Sequence, residues 1–214
     1  MFFLTDDRMP LPEPVFADEN GLLAIGGRLT LKRLIEAYSK GIFPWFSEGD
    51  PVMWWSPDPR MVLFPDKVKI SKSMRQWFRK HNDYRFTRNM AFDQVIDSCA
   101  KVSRKGQRGT WITQEMREAY SELHRNGLAV SYEVWNSAGR LVGGLYGVDL
   151  KNGVFSGESM FHIEANVSKA ALIYLCRTAG DYGYRIIDAQ VYTPHMNSMG
   201  AQLIPRKQFL QYLK

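Results

Sequence analysis

The sequence predicts an α+β protein in two parts: a small loop-rich N-terminal domain over residues 1–62 and a larger domain with a mixed sheet over residues 63–214. Three observations carry that prediction. Pro10, Pro12, Pro14, Pro44, Pro51, Pro57 and Pro59 crowd the first part, and proline removes the donors that long ladders and helix interiors need. From Met61 onward, short β-type runs alternate with helical periodicities. Within that pattern, Val154–Phe161, the apolar run behind it and Arg185–Val191 read as strand, loop, helix and strand.

In chain order, Thr30 caps a helix with Leu31, Leu34, Ile35 and Tyr38 on one face, ended by Gly41. The aromatic loops Gly41–Phe46 and Met53–Arg60 follow. Met61–Phe64 and Tyr84–Thr87 are short strands, and between them Ser71 caps a helix that turns Met74, Trp77 and Phe78 inward. Asn89 begins a helix carrying Phe92, Val95, Ile96 and Cys99. Thr113 caps another, with Met116, Ala119, Tyr120 and Leu123 inward, which stops at Gly127. Strands are expected at Leu128–Trp135, Leu141–Leu150 and Val154–Gly157, the last two joined by the Asn152-Gly153 turn. Val167–Ala179 has the strongest helical pattern, with Ala170, Ala171, Leu172, Leu175 and Cys176 apolar. The strand Arg185–Val191 follows, and the tail from Met196 to Leu213 reads as two short helical pieces joined at Ile204-Pro205-Arg206.

The composition, 45% hydrophobic and 23% charged, is that of a globular chain with ample core material. No apolar run approaches the ~20 residues of a membrane span, and Met1-Phe2-Phe3-Leu4-Thr5-Asp6-Asp7 turns acidic at once, unlike a secretory signal. Cys99 and Cys176 fall in apolar helical patterns and read as reduced core thiols of a cytoplasmic protein. The four histidines form no metal-ligand spacing, so no metal is expected. A net charge of +6 suits an anionic partner. Lys72, Arg75, Arg79 and Lys80 share a helix without interleaved acids, and a second basic cluster, Arg104, Lys105 and Arg108, lies in a loop. Either is a solvated surface or a phosphate-facing one.

Strand alternation places Ile186, Asp188 and Gln190 on one face and Ile187, Ala189 and Val191 on the other. An acid and an amide on an apolar strand are costly to bury without partners, and Glu158, between Gly157 and Ser159, raises the same question. Two readings stand side by side: a hydrogen-bonded network that fixes the core, or an active site with its acid-base groups on rigid elements. No Ser-His-Asp elbow, P-loop or G-x-G-x-x-G turn is present, which sets aside many hydrolases, kinases and dehydrogenases.

The strand–helix–strand with Asp188, Gln190 and Glu158 resembles the GNAT-like acyltransferase fold. An acyl-CoA enzyme of that fold would carry a pyrophosphate loop with glycines spaced unlike those of Arg104-Lys105-Gly106-Gln107-Arg108-Gly109, so coenzyme A is not the expected donor and no cofactor is. The segments Gly41-Ile42-Phe43-Pro44-Trp45-Phe46, Trp54-Trp55-Ser56-Pro57-Asp58-Pro59-Arg60, Gly109-Thr110-Trp111-Ile112, Leu141-Val142-Gly143-Gly144-Leu145-Tyr146-Gly147, Gly157-Glu158-Ser159-Met160-Phe161 and Ile187-Asp188-Ala189-Gln190 occur in one order. Together they resemble the leucyl/phenylalanyl-tRNA–protein transferase family. Ala189, Val130 and Arg28 stand where the resemblance leads one to expect Cys, His and Asp.

That resemblance implies a monomeric cytoplasmic enzyme, without membrane partners, that moves Leu or Phe, and less readily Met, from aminoacyl-tRNA to proteins beginning with Arg or Lys, marking them for N-end-rule degradation. It implies Asp188, Gln190 and Glu158 as catalytic residues. Gln190 would accept the amine's hydrogen bond, Asp188 would orient and polarise Gln190, and Glu158 would bind the cationic acceptor. Leu145, Phe155, Ser159, Met160, Leu172, Leu175 and Ile187 would form the aminoacyl pocket, although the apolar ones also read as ordinary core. Trp45 and Trp111 would flank the terminal adenosine, and the two basic clusters would meet tRNA phosphates. Two competing readings are an acyl-CoA N-acyltransferase and a non-catalytic RNA-binding module.

Overall fold

The computed structural model describes residues 1–102 and 112–214. The N-terminal part contains β1 (Phe2–Leu4), β2 (Leu22–Gly26), α1 (Leu31–Ser39), β3 (Phe43–Pro44) and β4 (Met53–Trp55). These strands form a four-stranded sheet in the order β1-β2-β4-β3, so the loop-rich region has a small sheet of its own. The larger part follows with β5 (Arg60–Leu63), α2 (Lys72–Lys80), β6 (Arg85–Arg88), α3 (Phe92–Lys101), α4 (Gln114–Arg125), β7 (Ala129–Trp135), β8 (Leu141–Asp149) and β9 (Val154–His162). It ends with α5 (Val167–Thr178), β10 (Ile186–Gln190), α6 (Pro194–Ser198), β11 (Gln202–Ile204) and α7 (Arg206–Phe209). The second sheet has seven strands in the order β11-β5-β10-β9-β8-β7-β6. Residues 60–62, grouped by sequence with the N-terminal part, therefore pair within the larger sheet.

The caps at Thr30, Ser71 and Thr113 form as the sequence implies: each hydroxyl accepts the N–H three residues on, from Arg33, Met74 and Met116. Three expectations change. Asn89 caps nothing; at φ 59° its side-chain oxygen accepts the Ser131 N–H at 3.0 Å, and α3 begins only at Phe92. Part of the tail read as helix is strand β11, antiparallel to β5, because Gln202–Ile204 finds an open sheet edge there. The strand expected to stop at Gly157 runs on to His162, which puts Glu158 within a strand instead of a loop.

β9–α5–β10 is the expected strand–helix–strand unit. β9 and β10 run parallel and pair only as far as Ser156 and Asp188. Just beyond that point both strands bulge. Against β8, Tyr146 pairs with Ser159 and Gly147 with Gly157, which leaves Glu158 as the extra residue. Against β5, Asp188 pairs with Val62 and Gln190 with Met61, which leaves Ala189. The first bulge shows in the packing. Phe155 and Phe161, six residues apart, would share a face by strict alternation, yet they belong to different apolar clusters. One cluster joins α3 and α4 to Leu34, Tyr38 and Trp54 of the N-terminal part; the other joins α5 and α2 to Phe155, Ile187 and Met196. A third holds Val62, Val154, Ile186, Ile204 and Phe209. Gly147 sits under the first bulge, where a Cβ would collide with the Ser156 carbonyl and the Phe155 ring.

Candidate active site

Where β9 and β10 part, a cavity of about 400 Å³ opens. Leu145, Phe155, Leu172, Leu175 and Ile187 make its apolar wall, joined by Met160 and Met196. Glu158, Asp188 and Gln190 reach it from the two bulges, and Trp45 lines it from the N-terminal part while remaining 38% exposed. Trp45 is held by its neighbour Trp55, whose Nε1 donates to the Trp45 carbonyl at 2.7 Å.

Among the described residues, Glu158 has no cationic hydrogen-bond partner. Its carboxyl oxygens accept from the hydroxyls of Tyr38 at 2.7 Å and Tyr120 at 2.9 Å, and the two hydroxyls lie 2.5 Å apart. Burial pushes the Glu158 carboxyl up to about 7, against the opposing pull of the two phenol hydrogen bonds. Burial and the nearby carboxylate drive both phenols well above their ordinary value, so they remain donors. Tyr38 comes from α1 and Tyr120 from α4, so these hydrogen bonds tie the N-terminal part to the sheet.

Asp188 is paired. Both it and Arg60 are 1% exposed, and the guanidinium donates in a fork, Nε to Oδ1 at 2.8 Å and Nη2 to Oδ2 at 2.7 Å. Arg60 lies between the rings of Phe43 and Phe209, 4.8 and 4.7 Å from their centroids. Asp188 Oδ1 also accepts the backbone N–H of Gln190 at 3.0 Å. Gln190 has φ 58°, a left-handed conformation that few side chains adopt without support. Among the described residues, its side-chain amide makes no hydrogen bond and lines the cavity. Asp188, expected to orient and polarise Gln190, therefore meets it through the main chain. The bulge also brings Ala189, expected to point away, into the cavity wall.

Residues 62–214 match the family described as Leucyl/phenylalanyl-tRNA protein transferase, and residues 27–58 match its N-terminal domain. The leucyl/phenylalanyl-tRNA–protein transferase of Christiangramia forsetii is 50% identical over 214 residues, which is the whole of both chains. That of Syntrophus aciditrophicus is 52% identical over 203 residues, 95% of this chain and 84% of its own. The chain belongs to the leucyl/phenylalanyl-tRNA–protein transferase family. It is thus a transferase. Among solved structures, L-PGS from Bacillus licheniformis aligns with a TM-score of 0.45 at 15% identity, over 80% of this chain and 56% of that one. A GCN5-related N-acetyltransferase from Kribbella flavida aligns at 0.43 and 8%, over 80% of this chain and 59% of that one. This chain spans little more than half of either.

In this member of the transferase family, every expected pocket residue that is described lines the cavity, Ser159 included. Trp111, Arg104, Lys105 and Arg108 lie outside the described residues. Lys72, Arg75, Arg79 and Lys80 are exposed along α2, whose inner residues Met74 and Trp77 pack in the same cluster as Leu172 and Ile187. The sequence reading missed Arg60, although it quoted the motif that ends there; a lone arginine opening the apolar strand Met61-Val62-Leu63 was the available signal. It also read Tyr38 and Tyr120 as core. A buried tyrosine hydroxyl needs a partner, which was the available signal for both.

Proposed function

We propose that the chain moves Leu or Phe, and less readily Met, from aminoacyl-tRNA to the N-terminal Arg or Lys of acceptor proteins, marking them for N-end-rule degradation in the cytoplasm. The observation that carries this reading is the uncommitted Gln190 amide, held over an apolar cavity beside Glu158 and a locked Asp188. An aminoacyl ester is already an activated acyl donor, so positioning and proton handling suffice for transfer. The acceptor's α-amine attacks the ester carbonyl carbon, the bond to the ribose oxygen breaks, and the proton lost by the amine ends on that oxygen. Gln190 accepts the amine's hydrogen bond, and Glu158, when ionised, holds the acceptor's cationic group. Holding the two reactants in register is worth ~7–11 kcal/mol.

The cavity wall is largely apolar, which suits Leu and Phe side chains. Such a pocket separates similar side chains weakly, since one methylene is worth ~1–3 kcal/mol. That limit fits acceptance of two unlike residues and a weaker third. Trp45, exposed at the rim, offers a face for the terminal adenine, and the α2 cations suit acceptor-stem phosphates. The test is to mix the protein with labelled Phe-tRNA and a peptide beginning with Arg. Label should move to the peptide, and labelled acetyl-CoA should give none. Binding of tRNA without transfer would overturn the proposal in favour of an RNA-binding module.

A further inference from the structure

Buried ion pairs rarely stabilise a fold on balance, because two desolvated charges cost about as much as their attraction returns, and an apolar replacement of similar shape is often better. The Arg60–Asp188 pair is among the most buried in the chain, each partner 1% exposed. Its energetic worth therefore does not explain its presence. Its connections suggest another reason. Arg60 Nη1 has no hydrogen-bond partner among the described residues, and the guanidinium's polar commitments run to Asp188 alone. Its two faces are covered by Phe43 from β3 and Phe209 from α7. Asp188 in turn has no oxygen to spare: Oδ2 takes Nη2, and Oδ1 takes both Nε and the Gln190 N–H.

We propose that Arg60 is a positioning residue of the transfer reaction, acting through Asp188 to fix Gln190 in the left-handed conformation that presents its amide to the cavity. This rests on the reading of Gln190 given above. Both Asp188 oxygens are engaged, Oδ1 by two donors and Oδ2 by one, so Asp188 serves as a fixed brace between Arg60 and the Gln190 main chain. The brace is anchored from both ends of the chain, by Phe43 in the N-terminal part and Phe209 in the tail. The tail is itself pinned to the approach to β5, since the Arg206 N–H donates to Asp58 Oδ1 at 3.0 Å and the Arg206 guanidinium donates to the Ser56 carbonyl. A lysine in place of Arg60 would keep the charge but lose both the planar fork and the stacking.

The experiment is steady-state kinetics with Phe-tRNA and an Arg-starting peptide, alongside thermal melts, for Gln190→Ala, Arg60→Lys, Arg60→Gln, Asp188→Asn and the double variant Arg60→Gln/Asp188→Asn. Arg60→Gln should lower kcat about 10²-fold with KM for both substrates little changed, the loss expected when a reacting group moves by roughly 1 Å. Arg60→Lys should lie about 10-fold below the parent in kcat. The double variant leaves no lone buried charge, so it should melt near the parent even if Arg60→Gln fails to fold. Its kcat should stay about as low as that of the worse single variant, because the two residues act as one unit. Recovery of kcat along with Tm in the double variant would show a purely structural pair and overturn the proposal, as would parental kcat in Arg60→Lys. If Gln190→Ala keeps parental kcat, the reading of Gln190 itself fails. If Gln190→Ala loses kcat while the folded Arg60 variants keep it, only the positioning role fails.

Discussion

Two buried carboxylates sit at neighbouring β-bulges, and their surroundings differ in kind. Asp188 meets a guanidinium that donates twice to it; Glu158, among the described residues, is hydrogen-bonded by two phenols and no cation. A guanidinium fork fixes its partner's geometry, whereas phenol hydrogen bonds offset only part of the cost of burying the Glu158 charge. One strand thus presents a carboxyl locked in place by a guanidinium, and the other a group poised at about 7. The difference divides the proposed work. Rigid geometry comes from β10, and a response to protons and to a cationic acceptor comes from β9.

The largest expected effect comes from removing the locked carboxyl. Asp188→Ala leaves Arg60 buried and unpaired, which costs ~3–5 kcal/mol of stability, and releases the Gln190 N–H. Turnover in the transfer assay should collapse by at least about 10²-fold, while tRNA binding measured by filter retention changes little. Retained turnover would erase the distinction between the two carboxylates.

A smaller and pH-dependent effect is expected at Glu158. Its carboxyl is ionised above about 7, so affinity for a cationic acceptor should rise as pH increases through that value, seen as a falling KM for the Arg-starting peptide. Glu158→Gln should raise that KM and flatten its pH dependence. The same shift bears on stability with a definite sign. The folded protein binds this proton more tightly than the unfolded chain, whose carboxyl titrates near 4.5, so stability from this group is lost as pH climbs from about 4.5 to about 7. Melts at pH 5 and pH 8 should therefore differ less in Glu158→Gln than in the parent. Tyr38→Phe and Tyr120→Phe each remove a hydrogen bond that holds the Glu158 value down. Each should move the midpoint of the KM profile upward by about one pH unit, the equivalent of ~1.4 kcal/mol. A downward move would mean that the phenols do not serve the ionised carboxylate.

Most helices, their caps and the central strand–helix–strand were legible in the sequence because each rests on local periodicity and capping chemistry. The bulges were not. Gly157-Glu158-Ser159 looks like the end of a strand, and only the pairing of Tyr146 with Ser159 across β8 shows that the strand continues with one residue extra. The same limit applies to β11, whose three residues are strand only because β5 offers an edge. Asp188, Gln190 and Glu158 were picked out as polar residues in apolar company, yet their partners were not. Arg60 is 128 residues from Asp188, and Tyr38 is 120 from Glu158. Contacts over such separations leave no trace in local pattern.

The smallest expected effect separates both buried sites from the surface. Lys72, Arg75, Arg79 and Lys80 are exposed on α2, with no salt bridge to a carboxylate among the described residues. Exposed charges are screened over a Debye length of about 8 Å at physiological ionic strength, while the Arg60–Asp188 pair, at 1% exposure, is shielded from mobile ions. If α2 lies along tRNA phosphates, each cation removed should lower the slope of log affinity against log salt by roughly 0.7–0.9. Lys72→Ala combined with Lys80→Ala should therefore weaken tRNA binding at 50 mM salt and reduce the slope by about 1.5, with kcat at saturating tRNA unchanged. Arg60→Gln/Asp188→Asn should do the reverse and change kcat while leaving the salt slope as it was. If the α2 variant leaves the slope untouched, the helix is a solvated surface, and the contacts to the tRNA backbone must come from elsewhere on the protein.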